Sequence, residues 1–206
     1  MAFTSYSDLK SAIAKYLARS DLTDVIPDFI WLAEKRLRRD IRTRQMLVVA
    51  TASTTAGDST VGLPTDFLEM RDIHLNTNPV TTLRYMAPNA FYQSARTTES
   101  GKPVDYTVLG LEMQVAPVPD TDYQLQMLYY AKPPFLSDTN ASNVFLANFA
   151  DALLYASLAE AEPYLMNDAR IQTWAALYER AINSINTSDQ ASEYSGQPMT
   201  MSYNVR

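Results

Sequence analysis

Leu9, Ile13, Tyr16 and Leu17 recur at the spacing of one helical face, which predicts a first helix following Ser7. Ser7 suits the N-cap, and Asp8 favours the positive end of the helix dipole. Ile26, Ile30, Ala33, Leu37 and Ile41 form the buried stripe of a second helix, starting near Asp24 with Pro27 in its first turn and ending near Arg44. The period then changes. Leu47, Val48 and Val49 sit among Thr, Ser and Ala, Gly57-Asp58 marks a turn, and Asn76-Thr77-Asn78-Pro79 signals a turn between two strands. A short helix is predicted from Asn89 to Arg96. The clearest hairpin is Tyr106 to Val115, in which Leu111, Met113 and Val115 pack while Glu112 and Gln114 face water. Tyr123, Leu125, Met127 and Tyr129 alternate with Gln124 and Gln126 in a further strand, and Pro133-Pro134 closes the β-rich region.

A third helix, Asn143 to Glu162, is apolar nearly all round (Phe145, Leu146, Phe149, Leu153, Leu154, Tyr155, Leu158), so it should be central, and Pro163 should stop it. A fourth begins near Asp168, with Ile171, Trp174, Ala175, Tyr178, Ala181, Ile182 and Ile185 on one stripe. No apolar periodicity follows Ser188. The order predicts an α+β chain that is mainly a helical bundle of about four helices (1–44 and 137–189), with a β-rich insertion (45–136) and an extended C-terminal tail (190–206).

Composition narrows the class. Nearly half of the 206 residues are apolar, which suits a globular chain with a real core. No apolar run reaches the roughly 18 residues of a membrane span, and MAFTSYSDLK lacks the pattern of a signal peptide. Absence of cysteine excludes disulfides and thiolate metal sites and fits a reducing cytoplasm, so the glycosylation patterns at Asn140 and Asn186 read as chance. A net charge of −6 disfavours nucleic-acid binding over the whole surface.

Catalytic chemistry finds little to work with. One histidine and no cysteine cannot assemble a zinc site of ordinary make-up. His74, between Ile73 and Leu75, reads as a packed or surface histidine. No Gly-x-Ser-x-Gly surrounds any serine, and with five glycines neither phosphate-cradling pattern occurs. Glu160 with Glu162, and Glu69 with Asp72, are the candidate acid pairs of a glycosidase, but residues two apart on a helix point to different sides. No enzyme, metal or cofactor is expected.

Two features invite a binding role. Lys35, Arg38, Arg39 and Arg42 share one face of the second helix, where like charges repel by about a few tenths of a kcal/mol per pair, partly offset by Glu34 and Asp40. That face is either an ordinary solvated one or a surface for acidic groups of a neighbouring subunit or for passing nucleic acid. In the tail, Tyr194, Met199, Met201 and Tyr203 recur among Ser, Gln, Thr and Asn before the terminal Arg206, a pattern of anchors that order against a partner.

Several stretches then fall in a familiar order: Leu63-Pro64-Thr65-Asp66-Phe67-Leu68-Glu69-Met70-Arg71, the hairpin ending Val115-Ala116-Pro117-Val118-Pro119-Asp120, and Leu128-Tyr129-Tyr130-Ala131-Lys132-Pro133-Pro134-Phe135-Leu136. Ala152 to Glu162, Trp174 and Tyr178-Glu179 follow, and Trp31 to Asp40 precedes them. With this order and spacing the chain, over about residues 5–185, resembles the head-to-tail adaptor (connector) proteins of tailed bacteriophages, particularly short-tailed ones. The resemblance implies a helical bundle with a β-rich insertion. It implies a virion protein of the neck, made in the host cytoplasm, in which twelve copies ring the channel beneath the portal protein. Tail or nozzle proteins attach below, DNA passes through without sequence-specific binding, and no membrane is involved. It also implies that the C-terminal segment, with Tyr194, Met199, Met201, Tyr203 and Arg206, reaches toward the portal. A virion-associated peptidoglycan hydrolase and a DNA-binding protein using the Lys35–Arg42 face are the alternatives.

Overall fold

The computed structural model describes residues 4–165 and 168–194. In chain order the elements are α1 (Tyr6–Leu17), α2 (Ile26–Asp40), β1 (Leu47–Ser53), β2 (Thr60–Gly62), β3 (Phe67–Leu75), β4 (Thr81–Thr82), β5 (Arg84–Tyr85), α3 (Pro88–Gln93), β6 (Asp105–Leu109), β7 (Glu112–Ala116), β8 (Gln124–Ala131), α4 (Val144–Asn148), α5 (Ala150–Leu165) and α6 (Asp168–Tyr194). The chain is α+β, and the described residues form six helices and two four-stranded sheets. They divide into two compact units. Residues 4–45 with 133–165 and 168–194 make one, and 46–132 make the other.

In the helical unit, α5 packs against α1, α2, α4 and α6, as its lack of a polar face requires. Leu9, Ile13, Ile30, Leu37, Phe145, Leu153 and Leu158 are fully or almost fully buried around it. Several boundaries differ from the sequence expectation, each for a local reason. Helix α1 starts two residues earlier because Ser5, not Ser7, is the cap, its Oγ accepting from the Asp8 amide at 3.3 Å. Helix α2 stops at Asp40 rather than Arg44. Ile41 turns extended into the core, and the Arg42 guanidinium donates to the carbonyls of Arg38 and Ile41, satisfying the helix end. The expected third helix is two, broken at Phe149 (φ −135°, ψ 40°). Pro163 does not stop α5. It removes only its own amide bond, and the helix runs two residues further.

Helix α6 also runs on past Ser188, to Tyr194, so residues 190–194 are helical rather than part of an extended tail. Polar contacts accompany that last stretch, with Asp189 accepting from the Arg44 amide at 3.1 Å and Ser192 donating to the Ser188 carbonyl at 2.8 Å. Hydrophobic periodicity does not register such contacts.

The β unit stacks two sheets, of order β1-β8-β3-β4 and β2-β7-β6-β5. Ile73, Leu75, Leu125, Met127 and Tyr129 of the first meet Val61, Tyr106, Met113 and Val115 of the second in one apolar core. The expected hairpin is β6–β7, paired from Asp105↔Ala116 to Leu109↔Glu112. Gly110 and Leu111 are therefore its turn, with Gly110 at φ +66°, and Leu111 is 54% exposed rather than packed. The expected short helix is α3 followed by a single tighter turn at Ala95–Thr97. Asp105, buried at the start of β6, is held by Arg84 at 2.9 Å and Arg96 at 2.8 Å, which supplies the partners a buried carboxylate needs.

Candidate interaction surfaces

The four cations of the second helix do not act alike. Lys35 lies over the rings of Trp31 (4.9 Å) and Phe135 (5.3 Å), and the Arg38 guanidinium stacks on Phe135 at 3.4 Å while donating to the Pro133 carbonyl. Burial lowers the Arg38 pKa, opposed by the nearby Glu34 charge. Arg42 turns back to the helix end, as above. Arg39 is exposed. The basic face thus divides into two side chains that hold the fold, Arg38 and Arg42, and two that border solvent, Lys35 and Arg39.

Glu34 is the residue that charge counting misplaces. It lies on the stripe with Ile30, Leu37 and Ile41, and it is buried. Its carboxylate accepts from the Leu136 amide at 3.1 and 3.2 Å and from the Asn143 side chain. Asn143 in turn caps α4 through the Leu146 amide and donates to the Pro134 carbonyl. This lock fixes the segment by which the chain re-enters the helical unit. Burial raises the Glu34 pKa, with the two donors and Arg38 pulling it back.

A second polar cluster ties α2 to α6. Tyr178 donates to Asp40 at 2.7 Å under the Arg36 guanidinium, and Arg36 also lies 3.6 Å from Glu160. Burial, then the bond to Asp40, holds the Tyr178 hydroxyl far above its usual range. Glu162 is buried instead against Trp174, which donates to it at 3.0 Å, and near Arg170 at 3.6 Å. The two glutamates of the proposed acid pair are therefore held by different partners. Of the other pair, Asp72 lies 4.0 Å from His74 on β3. Among the described residues no three His, Cys, Asp or Glu side chains gather as a metal site, and no helix is long and apolar enough to cross a membrane.

Concavities open on the helical unit, among them two that adjoin the chain's re-entry segment or the end of α6. One of about 510 Å³ is lined by Tyr6, Pro27, Asp28, Trp31, Leu136 and Asp138, and Trp31 is 47% exposed. The other, about 270 Å³, is polar and lies between Thr43–Gln45 and Ser184, Ser188 and Ser192 of α6. Of the tail anchors, Tyr194 ends α6, while Met199, Met201, Tyr203 and Arg206 lie outside the described residues. Missed from sequence were Glu34, whose signal was an acid inside an apolar stripe, and Phe135, a distant partner that no local pattern announces.

Comparison with known proteins gives one family. The model described as SU10 adaptor protein matches residues 4–202. No individual curated protein matches the chain.

Proposed function

The chain belongs to the SU10 adaptor protein family, head-to-tail adaptors of the short-tailed phage type, and on that premise we propose that its copies form the ring beneath the portal. The observation that carries the reading is the span of the match, which takes in nearly the whole chain and not one shared module. A structural adaptor of the virion works by geometry, presenting different surfaces to the portal, to its neighbours and to the tail. A contact between unlike surfaces, repeated by rotation, closes into a ring, here of twelve copies around the DNA channel. In this reading the helices form a bundle and residues 46–132 an insertion in it, so that each copy carries two separately built bodies. Lys35 and Arg39, bordering solvent, face either the channel or acidic groups of a neighbour. Contact with DNA through so few cations is weak and independent of sequence, which suits a conduit. Residues beyond α6, with Met199, Met201, Tyr203 and Arg206, reach the portal.

Phage assembled without this chain tests the role. Heads that fill with DNA but carry no tail, restored to infectivity by adding the purified protein, are the expected result. Tailed, infectious particles made in its absence would contradict it.

A further inference from the structure

A β-sheet whose edges are unpaired invites another chain, and proteins usually blunt such edges with charge, proline or shortness. The sheet β1-β8-β3-β4 leaves one edge unblunted. Strand β1 pairs with β8 along all seven residues, and its opposite side makes no backbone hydrogen bond among the described residues. Leu47-Val48-Val49-Ala50-Thr51-Ala52-Ser53 contains no charge and no proline. The second sheet ends instead in β2 and β5, of three and two residues.

Backbone parity shows what this edge offers. The Thr54 amide donates to Tyr123, so residues of even number on β1 turn toward β8, and Leu47, Val49, Thr51 and Ser53 turn their N–H and C=O groups outward. At the far edge the Leu83 amide donates to Ile73, so Val80 and Thr82 turn theirs outward. The registers place Val49 and Val80 on the same face of the sheet, the one opposite the core, since Val49 aligns with Leu128 and Asp72, and Thr82 with His74 and Gln126. They are also the most exposed large apolar side chains of the two edges, at 54% and 64%.

We propose that the β1 edge of each copy pairs with the β4 edge of the next, joining these sheets around the ring. The occupant of the edge is thus a second copy of this chain, and the inference rests on the ring reading above. Strand direction favours it. All pairs in this sheet are antiparallel, so β1 and β4 run in opposite senses, and a neighbour repeated in the same orientation brings its β1 antiparallel to β4. Pairing Val49 with Val80 sets Leu47 against Thr82, so that outward groups meet outward groups and the two exposed valines cover each other. Unlike edges meeting in this way leave each copy one edge to give and one to receive, which propagates until it closes. Two β1 edges meeting would stop at a dimer.

The full chain has no cysteine, which makes the test clean. Val49→Cys and Val80→Cys are placed together, the protein is assembled on its portal, and the assembly is oxidised. Paired residues at about 5.5 Å between Cα atoms are within disulfide reach. A reducible ladder of linked chains that ends at the closed ring is expected, with each single variant remaining unlinked. Dimers from Val49→Cys alone would overturn the proposal in favour of β1 pairing with itself. A ring of full mass that gives no ladder would also overturn it while leaving the ring standing. Absence of any ring mass on the portal would instead sink the ring reading. Val49→Lys, a solvent-facing change that leaves the fold intact, is expected to weaken ring formation at least tenfold, and unchanged assembly would count against the pairing.

Discussion

Replacing Glu34 with alanine should lower the stability of the helical unit by about 2–3 kcal/mol, because it strands the Leu136 amide and one Asn143 donor in the interior. In a chain of this size that is a fall of roughly 5–10 °C in Tm. Part of the loss is offset at neutral pH, since the buried carboxylate costs desolvation that alanine does not. Glutamine separates the two contributions. The Glu34 pKa in the folded chain is raised above its ordinary value of 4.5, so the folded state holds the proton more tightly than the unfolded one. Its contribution to stability is full below about that ordinary value and is lost as pH rises through the folded value. Thermal unfolding across that window should therefore show a decline in the parent chain that is reduced in Glu34→Gln. Equal slopes in both would mean that the carboxyl is not buried as described.

The second large effect is expected at Phe145. It is fully buried on α4 beside the break at Phe149, and α4 packs on the central helix α5. Phe145→Ala removes its packing and leaves a cavity in a region pinned on one side by the Asn143 cap, which limits collapse. A loss of about 3–5 kcal/mol follows, read as a shift of the denaturation midpoint with unchanged slope. A shift below about 1 kcal/mol would mean that the site is loosely packed.

The helical unit was legible because its information is local. The stripes at 9/13/17 and 26/30/33/37/41 repeat with the helical period, and α5 announced its central place by lacking a polar face. The hairpin at Gly110 was legible for the same reason. What escaped depends on partners far along the chain. That Arg38 stacks on Phe135, or that Arg44 fastens the end of α6 through Asp189, is a contact between residues about a hundred or more positions apart, which spacing on one helix cannot show. The basic face was therefore seen as a unit and is not one. The pairing of β1 with β8, Leu47 against Tyr130, is also distant along the chain, and with it the identity of the free sheet edge. Glu34 was the exception, an intruding acid at a stripe position that could have been read as buried from spacing alone.

The adaptor role turns on stoichiometry at the portal. Light scattering of the purified chain, alone and after mixing with the portal ring of its own virus, measures it directly. The account predicts that the portal's mass grows by twelve copies of this 23.1 kDa chain. A chain that leaves the portal's mass unchanged at micromolar concentration would contradict it.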